Sequence, residues 1–337
     1  MARSIMNEGK ADPILIIGAG MAGLTAARLL HEAGLPVLVF DKGRGVGGRM
    51  ATRRIGHGRV DHGAQYFTIR DQQFAKRVSE WQEAGAVSEW GQGFADAKGK
   101  RPSGGHFRYR GVDGMTSVPK HLAEDLDIRL QTRITAVSKE KSCWLVQSQS
   151  GETFRGQALF LTSPVPQSLE LLETGNVSFP KDIRRELERI DYDPCLALLA
   201  VFAGPSRLPA PGGLRFSEGP IAWMADNYQK GISPDVHTVT IHAAPDYSRR
   251  HWRTNAIVVA QKLLEAATPW LHPEVLDWQI HRWRYSQPAV TYPDQALFLP
   301  GPPPLVFAGD AFGGPRVEGA ALSGYAAARI LLAAKDG

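Results

Sequence analysis

The first part of the chain alternates between short apolar runs and glycine-rich turns, and this pattern predicts a strand, a helix and a second strand. Ile14–Ile17 and Val37–Phe40 are continuous apolar runs, and Met21–Ala33 between them has helical periodicity and ends at Gly34. Continuous apolar character is typical of strands buried on both faces, as in a parallel sheet. The three elements have the length of a β–α–β unit, so the sequence predicts an α/β fold.

Strand and helix patterns are mixed in the rest of the chain. Residues 42–63 have little hydrophobic periodicity, which predicts a long loop of the kind that is usually functional. Two strand pairs are predicted, Arg129–Ser138 with Trp144–Ser148 and Glu152–Phe154 with Ala158–Thr162. The other predicted helices are Phe74–Ala84, Thr116–Asp125, Ser248–Ala267 and Gly319–Ala334, and the other predicted strands are Cys195–Phe202, Ile221–Met224, His237–Ala243, Gln279–Tyr285 and Leu305–Ala308.

The order of these elements predicts two domains, the first of them discontinuous. A strand and a helix at the end of the chain follow the mixed middle, and we expect them to return to the first domain. We therefore expect a first domain of residues 1–70, 114–165 and 296–337, and a second domain with a mixed sheet of residues 71–113 and 166–295.

Composition excludes several classes of protein. The chain has 337 residues, of which 43% are hydrophobic and 22% charged, so it is not disordered, collagen-like or a coiled coil. With 2 cysteines it is not a disulfide scaffold, and we expect no metal site built from cysteine. Cys143 and Cys195 are expected to be reduced, buried thiols.

The net charge of +5 raises the question of nucleic-acid binding. No stretch contains four basic residues in succession, and the basic residues between Arg44 and Arg59 lie among glycines, which favours phosphate binding in a pocket. Ile14–Ile17 is too short to span a membrane, and Glu8 and Asp12 do not suit a signal peptide. We expect a cytoplasmic protein without a nucleic-acid, membrane or protein partner.

The first glycine-rich turn carries a dinucleotide-binding motif. Gly18–Gly23 has the pattern G-x-G-x-x-G between a predicted strand and a predicted helix. Its glycines allow a tight turn, close approach of a pyrophosphate, and close packing of helix on strand. Asp41 ends the second strand, where an acidic side chain binds an adenosine ribose. The motif alone fits NAD and FAD equally.

Two further segments favour FAD. Gly45–Thr52 is a second glycine cluster, and it resembles the flavin-bound oxidases of the amine oxidase type, in which Arg49 would pack near the FAD pyrophosphate. Leu305–Asp310 is a strand ending in Gly-Asp, and a helix follows Arg316. In flavoproteins of this class the aspartate contacts the flavin, and the helix N-terminus stabilises negative charge on the reduced ring.

The segment Asp61–Phe67 makes the resemblance more specific. Together with Arg316–Ala320, His281–Tyr285 and Ile241–Ala243, it resembles the renalase family, especially its bacterial members, over roughly Pro13 to Ala334. The resemblance implies a two-domain α/β fold of the amine oxidase and hydroxylase type. It pairs a Rossmann-like FAD-binding domain with a mixed-sheet substrate domain, and the FAD is bound non-covalently.

The implied activity is oxidation of the 1,2- or 1,6-dihydro isomers of NAD(P). Hydride passes from the dihydronicotinamide to flavin N5, and O₂ reoxidises the flavin to give H₂O₂. The ring nitrogen's lone pair expels the hydride, so we expect no catalytic side chain. The predicted substrate contacts are Asp61, His62, Gly63, Ala64, Gln65, Thr162, His242, Trp283, Tyr285 and Arg316. The predicted cofactor contacts are Gly18, Gly20, Met21, Ala22, Gly23, Asp41, Lys42, Gly48, Arg49, Val60, Asp61, Ile134, Gly309, Asp310, Val317, Gly319 and Ala320.

Two other functions remain open from the sequence. One is FAD-dependent oxidation of an amine or another small apolar molecule, and the other is a flavin-bound sensor or binding module without turnover. Flavin amine oxidases typically place a lysine on a substrate-domain strand near flavin N5. The corresponding strand here is expected to be Pro194–Phe202, which has no lysine, and Lys262 lies on a predicted surface helix. The missing strand lysine and the lack of a C-terminal cysteine for covalent flavin attachment both count against a monoamine oxidase.

Overall fold

The computed structural model describes residues 11–101 and 106–336; residues 1–10, including Glu8, lie outside the described part. The strands are β1 Ile14–Ile17, β2 Val37–Phe40, β3 Thr52–Ile55, β4 Gly58–Asp61, β5 Val87–Gly91, β6 Ala95–Asp96, β7 Arg108–Gly111, β8 Asp127–Arg129, β9 Ile134–Glu140, β10 Cys143–Ser148, β11 Thr153–Gly156, β12 Ala158–Leu161, β13 Tyr192–Phe202, β14 Gly213–Arg215, β15 Ile221–Asp226, β16 His237–Ala243, β17 Val275–Pro288, β18 Leu297–Leu299 and β19 Leu305–Phe307. The α-helices are α1 Met21–Glu32, α2 Gln72–Glu83, α3 Ser117–Leu122, α4 Val165–Thr174, α5 Lys181–Glu188, α6 Pro245–Arg250, α7 Ala256–Ala267, α8 Asp310–Gly313 and α9 Val317–Asp336, and 3₁₀ turns lie at Gly48–Met50 and Thr268–Trp270.

The first of two compact units contains residues 11–48, 119–191 and 288–336. Its main sheet has the strand order β18-β19-β12-β1-β2-β8, in which all neighbours are parallel except the edge pair β18–β19. All four residues of β1 are buried, as expected for a central parallel strand with helices on its faces. An antiparallel sheet β9-β10-β11 belongs to the same unit.

Helix α9 is the longest helix of this unit, and it packs against α1. Its span Val317–Lys335 is long and apolar enough to cross a membrane by length and composition, but 61% of it is buried within the structure. Burial against neighbouring elements accounts for its apolar character.

The second unit contains residues 49–118 and 192–287. Its main sheet has six strands in the order β17-β13-β16-β15-β14-β6. The unit also contains two separate two-stranded sheets, the hairpin β3–β4 and the pair β5–β7. Adjacent residues of β13 point to opposite faces of this sheet. Leu196, Leu198 and Ala200 pack with α6 and α7, and Ala197, Leu199 and Val201 pack with Ile55 and Val60 of the hairpin.

The predicted strand Gln279–Tyr285 lies within β17, and its side chains pack on both faces of the sheet. Ile280 packs against the cluster that contains α6 and α7, whereas Trp283 packs against the cluster that contains the hairpin. This second face of the sheet, which we call the hairpin face, carries the polar and aromatic side chains described below.

Sequence analysis predicted a long loop over residues 42–63. This prediction is wrong. These residues contain a 3₁₀ turn and the hairpin β3–β4. The strands are only four residues long, but Ile55 and Val60 are buried against β13 and Gly58 lies against Thr238 of β16. Tertiary packing therefore orders a segment whose short apolar pattern gave no signal.

The unit boundaries also differ from the predicted domain boundaries. Residues 49–70 and 114–118 belong to the second unit, and residues 166–191 and 288–295 belong to the first. Because the hairpin β3–β4 packs on the sheet of the second unit, the first boundary lies after residue 48 and not after residue 70. Helices α4 and α5 were missed because prolines precede them, although proline is tolerated at a helix start.

Two other element predictions are corrected. Ser248–Ala267 is two helices, because Asn255 caps α7 by accepting a hydrogen bond from the Ile257 amide. Glu152–Phe154 does not pair with Ala158–Thr162: β11 pairs with β10, while β12 lies between β1 and β19. The fully apolar sequence of β12 suits a central strand better than a hairpin.

Candidate functional site

The glycine-rich turn of the first unit has a geometry that only glycine satisfies. Gly18 has a φ of +116°, in the left-handed region. A Cβ at Gly23 would lie 2.0 Å from the Gly18 carbonyl oxygen, so glycine lets α1 approach the turn closely. A Cβ at Gly20, by contrast, would meet nothing within 4 Å among the described residues. Gly20 at the helix N-cap therefore borders open space where a phosphate can approach backbone N–H groups.

Asp41 and Thr162 surround this turn. Asp41 accepts hydrogen bonds from the backbone N–H of Ala19 at 2.8 Å and of Gly43 at 2.6 Å. Each carboxylate oxygen can accept a further bond, so a ribose hydroxyl can still be bound. The Thr162 hydroxyl lies 3.0 Å from the carbonyl oxygens of Ile17 and Gly18, and thus supports the turn from β12.

Lys42 and Ile134 are the other predicted cofactor residues in this part of the first unit. The Lys42 ammonium donates to Gln167 at 3.3 Å, and burial together with nearby Arg133 lowers its pKa. Ile134 is a buried residue at the start of β9.

The C-terminal segment forms a second glycine-dependent turn in the first unit. Gly309 has a φ of +147°, and its N–H donates to Ser323 at 2.8 Å. A Cβ at Gly319 would lie 2.4 Å from the carbonyl oxygens of Gly313 and Gly314. Helix α9 begins at Val317, so the predicted contacts Val317, Gly319 and Ala320 lie in its first turn and the exposed Arg316 directly precedes it.

In the second unit, the segment Asp61–Tyr66 lies on the hairpin face of the sheet. Three side chains from the sheet donate to its backbone. The Thr240 hydroxyl donates to the Asp61 carbonyl at 2.8 Å, and the Trp283 indole N–H donates to the His62 carbonyl at 2.7 Å. Nε2 of His242 lies 3.2 Å from the same His62 carbonyl. Three predicted substrate residues are therefore close together: His62, His242 and Trp283.

The Asp61 carboxylate is bound by donors within the protein. Both its side chain and that of Lys230 are fully buried, and Lys230 Nζ lies 2.6 Å from Asp61 Oδ2. Asp61 Oδ1 accepts hydrogen bonds from the Thr52 hydroxyl at 2.5 Å and from the Met115 N–H at 2.9 Å. The donors that surround this carboxylate all come from the protein itself.

Sequence analysis missed Lys230, which lies in the turn after β15 rather than on a strand. Its ammonium also donates to the Gln65 carbonyl at 2.6 Å and lies 4.7 Å from the centre of the Trp90 ring. Burial lowers its pKa, and the neighbouring Asp61 opposes that shift. No apolar periodicity marks this turn, so the sequence carried no signal of burial. The buried lysine is therefore supplied by this turn and not by Pro194–Phe202.

His62 lies among aromatic rings, with the Arg53 guanidinium nearby. Its ring centre lies 4.8 Å from that of His281 and 5.1 Å from that of Trp283. Burial, His281 and Arg53 lower the pKa of His62 to about 3, and burial lowers the pKa of His242 and of His281 to about 4. All three rings are neutral at physiological pH. His62 Nδ1 is buried and has no hydrogen-bond partner among the described residues.

Gln65 presents a single unused atom. Its side-chain N–H group donates to the Asp61 carbonyl at 2.6 Å and the Gly63 carbonyl at 3.1 Å. Its Oε1 is buried and without a partner among the described residues. The pair of carbonyl acceptors fixes which end of the amide is nitrogen, so Gln65 can accept a hydrogen bond from a ligand but has no free N–H to donate.

The remaining predicted residues of the second unit have mainly supporting positions. A Cβ at Gly63 would lie 2.0 Å from the Arg49 carbonyl oxygen, which also accepts a hydrogen bond from Ala64 N–H at 2.8 Å. The Arg49 guanidinium lies 3.4 Å from the Tyr285 carbonyl. The Val60 side chain is fully buried in the core with the hairpin. Whether these residues contact a ligand stays a prediction.

The first unit fits the nucleotide part of FAD. It has open space at Gly20, helix N–H groups above it and Asp41 at the end of β2. These residues would hold the pyrophosphate and the adenosine ribose. No group of three or more His, Cys, Asp or Glu side chains that could hold a metal is found in residues 11–101 and 106–336.

Comparison with known proteins identifies the family of both parts of the chain. Residues 16–80 match the model of an NAD(P)-binding Rossmann-like domain, and residues 84–332 match that of flavin-containing amine oxidoreductases. Hydroxyneurosporene desaturase from Rubrivivax gelatinosus is 43% identical over 65 residues, which are 18% of this chain and 12% of that protein. Acetone monooxygenase from a Gordonia species is 28% identical over 151 residues, which are 43% of this chain and 24% of that protein. The chain thus spans a quarter or less of these relatives.

Solved structures share the fold over almost the whole chain. Wild-type putrescine oxidase bound to putrescine superposes with a TM-score of 0.72 at 15% identity, covering 96% of this chain and 99% of that one. A protein from Pyrococcus furiosus superposes with a TM-score of 0.65 at 14% identity, covering 95% and 97%. The family match covers well over half of the residues, and the nucleotide-binding turn has the geometry that the cofactor needs. The chain belongs to the flavin-containing amine oxidoreductase family, and its cofactor is FAD.

Proposed function

We propose that the protein oxidises isomeric dihydro-NAD(P), in its 1,2- or 1,6-dihydronicotinamide forms, to NAD(P)⁺, with O₂ converted to H₂O₂. In each turnover the substrate gives up a hydride, and the hydride, one proton and O₂ yield H₂O₂. Bound FAD supplies the hydride acceptor, at its N5 atom. The proposal also draws on the resemblance of Asp61–Phe67 and Arg316–Ala320 to the renalase family.

The observation that carries the proposal is the unpartnered Oε1 of Gln65. A buried acceptor without a partner costs free energy, about 1–3 kcal/mol, unless a ligand provides a donor. The amide N–H₂ of a nicotinamide carboxamide is such a donor, and it carries no charge that would need a counter-ion. Gln65 is therefore proposed to bind the substrate carboxamide.

The charges of the second unit favour this substrate over a protonated amine. In the segment Asp61–Tyr66 the only acidic side chain is Asp61, and Lys230 already neutralises it. Arg53 lies 3.3 Å from His281, and Arg110 lies near Asp61, so two further nearby charges are positive. A neutral dihydronicotinamide with anionic phosphates suits these surroundings better than an alkylammonium ion does.

No side chain is required to remove a proton in this reaction. A dihydronicotinamide gains aromaticity when its hydride leaves, and its ring nitrogen carries no proton to be removed. The neutral rings of His62 and Trp283 can pack against a flat ring, and Gln65 fixes the ring's direction through the carboxamide. Orientation of the reacting atoms is then the protein's main contribution.

Product analysis tests the proposal. The protein is incubated in air with borohydride-treated NAD⁺, which contains the dihydro isomers, and NAD⁺ and H₂O₂ are quantified. We expect the two products to appear in equal amounts, with ordinary NADH turned over much more slowly. Equal rates with NADH, or NAD⁺ formed without H₂O₂, would contradict the proposal.

Oxidation of an amine is the second candidate, favoured by the family itself and by the buried Lys230. The fold is that of an oxidase whose solved structure contains putrescine. Putrescine and a set of monoamines belong in the same assay. H₂O₂ formation that is faster with any of them than with the dihydro isomers would select this candidate.

A further inference from the structure

We propose that Lys230 is a positioning residue whose ammonium group fixes both ends of the segment Asp61–Gln65 and so holds His62 and Gln65 in the orientation that the substrate requires. The inference rests on the proposed function in one respect, because it takes His62 and Gln65 as substrate contacts. It adds a residue from a different part of the chain, 165 positions beyond Gln65.

The ammonium group contacts three partners. Lysine has three N–H donors. One lies 2.6 Å from Asp61 Oδ2, one lies 2.6 Å from the Gln65 carbonyl, and the charge lies 4.7 Å from the Trp90 ring centre. Lys230 therefore connects the first and last residues of a five-residue segment through one atom.

The backbone between these two points is also held. The His62 carbonyl accepts from the Trp283 indole at 2.7 Å, and the Asp61 carbonyl accepts from the Gln65 side chain at 2.6 Å. With these acceptors in use, His62 Nδ1 and Gln65 Oε1 remain as this segment's buried side-chain atoms without partners among the described residues. Loss of the Lys230 contact would release the Gln65 carbonyl and, with it, the direction of the Gln65 amide.

Stability alone is a poor explanation of this ion pair. Taking two charges out of water costs as much as their attraction returns, and apolar replacement of such a pair is often neutral or stabilising. A fully buried pair in contact with the segment that presents two unpartnered atoms is better explained by geometry. Lys230 need not touch the substrate, so it is not a catalytic residue.

A double-mutant cycle tests the proposal. Lys230→Met alone would leave Asp61 charged and buried, so the background is Asp61→Asn with Lys230→Met, which removes both charges together. Gln65→Ala is introduced into the wild type and into this background. The rate of flavin reduction is measured anaerobically with whichever compound reduces the wild-type flavin fastest, amines included. If the dihydro isomers prove not to be substrates, the cycle can still be carried out and interpreted with another reductant.

We expect Gln65→Ala to slow reduction about tenfold in the wild type but less than about threefold in the background, because the background has already released Gln65. The background should still bind FAD, and Lys262→Met on the exposed face of α7 should behave as wild type. Equal effects of Gln65→Ala in both contexts, or wild-type rates in the background, would overturn the proposal. If the background does not fold, Asp61→Asn with Lys230→Gln takes its place, because this pair also removes both charges and the shorter glutamine amide cannot reach both acceptors.

Discussion

Gln65 is the residue whose unused atom says most about the ligand. Replacing it with alanine removes the acceptor Oε1 and leaves the nucleotide-binding turn of the first unit untouched. We expect flavin reduction by the dihydro isomers at low substrate concentration to slow about tenfold. This corresponds to the loss of one hydrogen bond worth about 1.4 kcal/mol. FAD content, measured from the visible absorbance, should not change. Gln261→Ala on the exposed side of α7 is the matched control.

Asp41 tests the cofactor at the same scale. Asp41→Ala removes an acceptor for the ribose hydroxyls and also the partner of the Ala19 and Gly43 amides. FAD affinity is expected to fall by about 1.5–3 kcal/mol, as for a charged hydrogen bond. Titration of the FAD-free protein measures it, and exposed Asp235→Ala serves as control. An unchanged dissociation constant would remove Asp41 from the ribose site.

At this scale, the side-chain partners of the predicted residues could not be read from the sequence. Gln65 was predicted to contact the substrate, and the structure shows that its N–H group already donates to the Asp61 and Gly63 carbonyls. Asp61 was expected to contact ligands, and Lys230 neutralises it from 169 residues away. Side-chain partners at such separations depend on tertiary packing, which no local pattern reports.

Among the elements, the turn between β1 and α1 offers two glycines with opposite expected effects. Gly23→Ala would bring a Cβ to 2.0 Å from the Gly18 carbonyl, so the strand–helix contact must open and the thermal midpoint should fall. Gly20→Ala would meet no described atom within 4 Å, so stability without FAD should stay within about 1 kcal/mol of wild type while FAD binding weakens.

Thermal unfolding of the FAD-free variants, together with FAD titration, separates these effects. A large loss of stability in Gly20→Ala would mean that its neighbouring space is not reserved for a ligand. Unchanged FAD binding in Gly20→Ala would remove the pyrophosphate from this turn.

Elements with strong local signals were predicted correctly, and those that depend on packing were not. β1, β2 and α1 follow from apolar runs and a glycine motif, and their bounds agree with the structure to within one residue. The hairpin β3–β4 was missed because its strands are short and arginine-rich, and it is ordered by contact with β16. The segment that presents His62 and Gln65 directly follows this hairpin, so the domain boundary was misplaced near the candidate site.

For the molecule as a whole, the buried histidines predict acid sensitivity. His62, His242 and His281 have pKa values of about 3, 4 and 4 in the folded protein, against an ordinary value of 6.5. Between these values the unfolded chain binds more protons, so the free energy of unfolding falls as pH drops below about 6.5. Each histidine contributes up to about 1.4 kcal/mol per pH unit.

Urea unfolding at pH 7 and pH 5 measures this effect. His281→Phe should reduce the difference between the two pH values, because one of the three groups no longer takes up a proton on unfolding. His57→Phe, at an exposed position, should leave the difference unchanged. The same stability at both pH values in the wild type would show that the three rings are not held neutral.

The central claim is that the substrate is a dihydronicotinamide bound through its carboxamide by neutral groups. Anaerobic stopped-flow measurement of flavin reduction, with borohydride-treated NAD⁺, NADH and a set of amines, tests it most directly. The account predicts that the dihydro isomers reduce the flavin fastest, at a saturated rate that varies little from about pH 6 to 9, since the site histidines stay neutral there. Faster reduction by NADH or by any amine would contradict it.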